Sequence, residues 1–373
     1  MSLVAIKSAI DTLSAPTISF TILTVLFPFF FPPSDWFEKI HRKLGFWRLW
    51  TKAGGITGLV LITSFFVIGY YDKNFNITLT KADNFPIVLM IYSMFFFIWL
   101  GMYKAYRNDI RIDQGLKPEE YNDPDDKVLV WPDLVYIEFI ALILFQVFLI
   151  VWSILVAAPI EEPANPASTP NPSKAPWYFL GLQEMLVYYD PWIAGVLLPT
   201  MIIVGLMAIP YMDINKKGDG YYSFKERRVG MFIFMYGWVV LWLFLIVIGT
   251  FFRGPNWNFF GPFEYWDIHK VEALTNVNLS ELLWVKLLNQ GLPSNIFIRE
   301  SVGFLSVSFY LFVLPVILAK TVLKDMYEAY GPTRYTSLMA FGLVMLALPI
   351  KMYLRWMINL KYIIAIPEWF FNI

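Results

Sequence analysis

Eight apolar stretches punctuate the chain, near residues 16–31, 54–71, 85–103, 134–158, 191–210, 229–251, 302–319 and 336–354. Polar, charged or proline-rich connections separate them. Most reach the roughly 20 residues that a helix needs to cross the hydrocarbon of a bilayer. Helix is the expected form, because a backbone in lipid must satisfy its hydrogen bonds within the segment. The pattern predicts an all-α polytopic membrane protein with seven firm spans and one weaker segment. The weaker one comes first and ends in Phe27-Pro-Phe-Phe-Phe-Pro-Pro33, where Pro32-Pro33 stops a helix. It reads either as a span or as a re-entrant interfacial segment. The N-terminus lacks the basic cluster and small-residue cleavage site of a signal peptide.

Composition sharpens this picture. Of 373 residues, 58% are hydrophobic and only 16% charged, against roughly 25% charged in a soluble domain. An ordinary soluble enzyme and a disordered chain are both excluded. With no cysteine, the chain cannot hold a thioether-linked haem, an iron–sulfur cluster or a disulfide. Its two histidines, His41 and His269, fall short of the four imidazoles that two bis-histidine haems require. No phosphate loop, dinucleotide fingerprint or nucleic-acid patch is present.

Lys+Arg and Asp+Glu balance at 29 each, but their distribution is uneven. Loops 34–53, 104–130 and 211–228 carry five Lys/Arg each, whereas loop 72–84 carries two and loop 159–190 only Lys174. The positive-inside rule puts the three basic loops in the cytoplasm and loop 159–190 on the electropositive side. Beyond residue 251 the bias fades, and the last two helices are oriented by counting crossings. Trp131, Tyr188, Tyr189, Trp257 and Trp266 near segment ends fit interfacial belts.

The outer loop 159–190 carries the most information. Its prolines fix an extended path, and Pro176 stands where a short helix can begin. Trp177, Tyr178, Phe179, Leu182 and Met185 then make an amphipathic surface helix. Glu162-Pro-Ala-Asn-Pro166, Thr169-Pro170, four spacers (Asn171 to Lys174) and Trp177-Tyr178 follow in order. This arrangement resembles the outer loop of subunit IV, the C-terminal half of cytochrome b in the cytochrome bc/bf superfamily, which reads Glu-Pro-Ala-(Asp/Asn)-Pro-x-x-Thr-Pro and, four residues later, Pro-Glu-Trp-Tyr. Trp131-Pro-Asp133, Tyr211-Met-Asp213 and Lys225-Glu-Arg-Arg228 agree in the flanks, so the resemblance covers about residues 128–252.

The resemblance implies a share of an outer quinol oxidation site. There, one electron passes to a Rieske iron–sulfur protein and the other to b haems held by a separate diheme cytochrome b. Pro176, Trp177, Tyr178 and Phe179 would line the quinol pocket. Pro163, Pro166, Thr169 and Pro170 would set the loop's path. The sequence departs where the family carries its carboxylate: Ala175 stands for the motif's Pro and Pro176 for its Glu. Glu184, two helical turns after Trp177 and so on the same helix face, is the candidate replacement as proton acceptor. Pro367-Glu-Trp-Phe370 imitates the motif without its upstream element and is read as coincidence.

Other polar groups have plainer readings. His41 is expected at the surface of a basic loop, and His269 as an ordinary loop histidine. Glu138 is expected to snorkel or to pair with a neighbouring helix, and Gln146 to bond across a helix interface. Asp213, Asn215 and Asp219 read as a turn bent by Gly218 and Gly220.

The expected organisation is an N-terminal extension (1–127), a three-helix quinol-site module (128–252), and an outer loop with two helices (253–373). The expected function is that of a haem-free subunit of a quinol:cytochrome c oxidoreductase in a bacterial cytoplasmic membrane. The resemblance implies that the chain alone binds no cofactor and shares its quinol with the b-haem subunit. The expected partners are that subunit, a Rieske protein, a c-type cytochrome and lipid, in a dimer of complexes. The alternatives are a scaffold subunit with a degenerate quinol site and, less favoured, a transporter.

Overall fold

A computed structural model describes residues 3–122, 129–156, 158, 163–272 and 275–373. Its principal helices are α1 (Leu3–Ser14), α2 (Pro16–Phe30), α3 (Asp35–Lys43), α4 (Lys52–Tyr70), α5 (Lys73–Leu79), α6 (Ala82–Asp113), α7 (Val130–Leu155), α8 (Leu180–Met185), α9 (Ile193–Met212), α10 (Phe224–Phe252), α11 (Ser301–Lys320) and α12 (Lys324–Ile358). Seven of them (α4, α6, α7, α9, α10, α11 and α12) are long and apolar enough to cross a membrane. They coincide with the seven firm segments, and the chain is a multi-pass, all-α membrane protein. Near the C-terminus β1 (Ala365–Ile366) pairs antiparallel with β2 (Phe371–Asn372), Ala365 opposite Asn372.

The doubtful first segment resolves into two helices bent by 73°. α1 lies against the outer loops: Phe263 N–H donates to Asp11 Oδ1 at 2.8 Å, and Lys7 Nζ meets Asp72 at 2.5 Å. α3 lies on the opposite face, where Arg228 grips Asp35 and Glu38. α2 therefore carries the chain from one face to the other. At 15 residues it is about 22 Å long, short for a bilayer core, and it ends at Phe30, before the Pro32-Pro33 pair.

His41 is buried, contrary to the expected surface position. The reason lies in the same prolines. Phe29 C=O would normally accept from the N–H four residues on, but that residue is Pro33, which has none. α3 folds back beneath α2, and His41 Nδ1–H donates to the orphaned Phe29 carbonyl at 2.7 Å. Burial holds the imidazole below its ordinary pKa.

The basic loops converge on this inner face. Asp109, buried at the end of α6, accepts from Ser223 Oγ (2.6 Å) and from Phe224 N–H (3.1 Å). A carboxylate at the start of α10 complements the unpaired amides there. Ser223 in turn caps the helix by accepting from Glu226 N–H. In the turn before it, Asn215 N–H donates to Asp213, and Gly218 and Gly220 take positive φ (71° and 81°), as the turn reading expected.

The largest apolar cluster draws Phe20 and Phe27 from α2, Met102 from α6, Val240 and Leu245 from α10, and Leu348 and Met352 from α12. It thus spans the N-terminal, middle and C-terminal thirds of the chain. α7 stands apart, exposed along its length, touching α6 through the Phe85–Trp152 ring pair at 5.0 Å. Gln146 consequently faces outward, and its expected bond across a helix interface is not made within the described residues. Glu138 faces outward on the same helix.

Candidate functional site

The outer end of α10, the helix α8 and the two loops flanking them form one polar network. α8 begins as expected: Pro176 precedes a tight turn at Trp177–Phe179, which runs into Leu180–Met185. The helix lies across α10 at close range. A Cβ on Gly181 would stand 3.1 Å from Ile246 Cγ1, and one on Gly249 would stand 3.2 Å from Leu180 C=O. Small residues on both sides permit the contact.

This packing buries Glu184 completely, at 0% exposure. Its carboxylate is not bare. Arg253, one residue beyond α10, donates from Nη2 to Oε1 at 2.6 Å and from Nε to Oε2 at 3.0 Å. Trp257 Nε1–H adds a third bond to Oε2 at 3.0 Å. Arg253 Nη1 closes the ring by donating to Trp257 C=O at 2.9 Å. Burial opposes the charge on Arg253, but Glu184 more than offsets it and holds the guanidinium above its ordinary pKa.

The proline-rich loop is tied to the same frame. Gln183 on α8 accepts from Ala175 N–H (2.7 Å) and donates to Ser173 C=O (2.8 Å). Asn171 and Asn256 exchange two bonds, at 2.9 and 2.7 Å. Lys174 Nζ donates to Thr250 C=O at 2.7 Å, at the carbonyl end of α10, where a cation is favoured. The same ammonium lies 4.9 Å from the centre of the Trp266 ring. Burial, and then repulsion from Lys81, lower the Lys174 pKa to about 7.

The aromatic residues divide by role. Trp177 packs into an apolar cluster with Leu180, Ile246, Phe251 and Phe263, to which Trp257 also belongs. Trp257 thus links Glu184 to the cluster that Trp177 joins. Tyr178 and Phe179 are 49% and 50% exposed and face outward. Pro163, Pro166, Thr169 and Pro170 are exposed along the loop. Glu162, at the head of the Glu-Pro-Ala-Asn-Pro element, lies outside the described residues. The imitation motif is a surface turn in which Arg299 holds Glu368 through two 2.9 Å bonds.

Residues 163–263 match the family model described as cytochrome b(C-terminal)/b6/petD. That stretch, about a quarter of the chain, is similar to the C-terminal part of cytochrome b. No solved structure matches the chain significantly. The family segment begins at Pro163, so α7 and Trp131-Pro-Asp133 lie upstream of it, and it extends past residue 252 to take in Arg253, Trp257 and Phe263. Every side chain of the Glu184 network therefore falls inside it. Sequence reasoning found Glu184 and the aromatic run but not Arg253, Trp257, Asn171 or Gln183. The Arg253-Gly-Pro-Asn-Trp257 run at the end of an apolar span was the available signal, since a cation that close to lipid needs an acidic partner.

Proposed function

We propose that the chain is a haem-free subunit of a cytochrome bc/b6f-type quinol:cytochrome c oxidoreductase and forms one wall of the outer quinol oxidation site. The family match over 163–263 carries this reading, because it contains the loop from Pro163 onward together with Glu184, Arg253 and Trp257. The two histidines are consistent with it. His41 lies on the inner face with Nδ1 committed to Phe29, and His269 is exposed on an outer loop. They sit on opposite faces and cannot ligate one haem. A separate diheme cytochrome b, a Rieske protein and a c-type cytochrome complete the proposed assembly, a dimer of complexes in a bacterial cytoplasmic membrane. α7, uncovered by its own chain, fits a subunit that packs against another membrane chain.

In this reading Tyr178 and Phe179 offer the quinol ring an aromatic surface, while Pro176 and Trp177 fix where that surface stands. Glu184 in its present geometry is a positioning residue that joins α8 to Arg253. It accepts a proton from quinol only if the Arg253 pair opens. The missing motif carboxylate and the closed Glu184 pair favour a second reading, a scaffold subunit whose quinol pocket has decayed.

Affinity purification through a tag on this chain, with mass spectrometry and a reduced-minus-oxidised spectrum, tests membership. A b-haem band and a Rieske chain in the preparation are expected; a colourless preparation without a haem-carrying partner overturns it. Glu184→Gln separates the two readings within an assembled complex. Slowed quinol-driven reduction of c-type haem supports the active site, and absence of quinol turnover in the wild type supports the scaffold.

A further inference from the structure

The outer end of α12 and the turn after it carry three cations, none held in an ion pair among the described residues. Lys351 is 1% exposed, and its Nζ has no hydrogen-bond partner. Arg355, one turn on, is buried and bonds two neutral acceptors, Asn359 C=O at 3.0 Å and Asn276 Oδ1 at 2.7 Å. Lys361 reaches only Leu186 C=O, at 3.5 Å. Lys351 and Lys361 approach the same Tyr362 ring, at 6.0 and 5.4 Å. Among the described residues none of the three joins an ion pair. The carboxylate on that side, Asp190, accepts from Asn372 at 3.4 Å and acts on Lys361 only at longer range.

An unpaired ammonium buried beside lipid is strongly unfavourable. Cation–π attraction from Tyr189 and Tyr362, near the 6 Å limit of its range, offsets little of that cost. The surroundings also fix the depth. Arg355 lies in the last turn of α12, and Lys361 and Tyr362 lie just past its end at Ile358. The end of a spanning helix lies at the level of lipid headgroups. Three cations at that depth match the oxygens of a phosphate.

We propose that Lys351, Arg355 and Lys361 form a phosphate-binding site at the outer interface, filled by a phospholipid headgroup or by free phosphate. Tyr362, half-buried on the turn after α12, is the side chain that shifts to admit it. The site is separate from the Glu184 network and does not depend on the electron-transfer reading.

The test uses the full chain, with its co-purifying chains, in mild detergent. Native mass spectrometry should show a phospholipid adduct on the wild type that Lys351→Met loses. In delipidated wild type, phosphatidylglycerol should raise the melting midpoint, and Lys361→Gln should weaken that binding by about tenfold, the loss of roughly one charge-assisted contact. Stabilisation by inorganic phosphate alone, without a lipid adduct, supports the site and assigns it to the free ion. If neither ligand stabilises the protein, the proposal fails. It fails equally if Lys351→Met melts higher than the wild type and keeps every adduct, since an ammonium without a counter-ion is better replaced by a thioether. Should Lys351→Met not fold, Lys361→Gln decides alone: unchanged affinity rejects the site.

Discussion

Breaking the Glu184–Arg253 pair is the sharpest probe of how the outer loop is held. Arg253→Leu leaves a fully buried carboxylate with only the Trp257 N–H for company. Removing one partner of a buried pair costs about 3–5 kcal/mol. Glu184→Gln keeps the shape but strands a guanidinium whose remaining donor goes to Trp257 C=O, so a loss of the same order is expected. Glu184→Met with Arg253→Leu removes both charges together. Replacing a buried pair with apolar groups is often close to neutral, so the double variant should fall at least ~2 kcal/mol short of the sum of the single losses. Reversible unfolding of the purified chain in mixed micelles, followed by far-ultraviolet circular dichroism, measures all the variants. Two small single losses that add within ~0.5 kcal/mol would refute the reasoning, because they would mean the two side chains do not act on one another.

Three further outcomes follow from the same geometry. Asp109→Asn keeps the Ser223 contact but weakens the acceptor at the start of α10, and should lower stability by about 1–3 kcal/mol in the same unfolding assay. Lys174 loses its proton near pH 7 when folded and near its ordinary 10.5 when unfolded. Between those values the unfolded chain binds the extra proton, so stability should rise with pH from about 7 to 10. The melting midpoint of Lys174→Met should lack that rise; parallel curves would show that Lys174 is not buried as a charge. Pro176→Glu places a carboxylate where the family carries one, at an exposed helix start that tolerates an acidic residue, and leaves the Ala175 N–H bonded to Gln183. Quinol-driven cytochrome reduction should increase with folding unchanged within ~0.5 kcal/mol, and an unaltered rate would argue against a quinol at this loop.

How much of this was legible beforehand depends on sequence distance. The seven spans were readable because each carries its own apolar run, and the stop of α2 was readable from Pro32-Pro33. The 73° bend between α1 and α2 was not, since contacts with Asp72 and Phe263, far along the chain, decide where α1 lies. His41 looked like a surface residue because its burial depends on α3 folding back to a carbonyl that Pro33 leaves unpaired. Glu184 stood out as the only carboxylate in its short helix, but its partner is 69 residues away. Lys351 sat unremarked in an apolar segment; only packing shows that nothing opposes its charge.

The central claim is that a quinol binds against Trp177, Tyr178 and Phe179, and photo-crosslinking tests it most directly. A light-activated quinone analogue, added to the purified complex and competed with unlabelled quinol, should label a peptide containing residues 176–185, with labelling lost in Tyr178→Ala. Labelling confined to partner chains, or spread without competition over the lipid-facing helices of this one, would contradict the account.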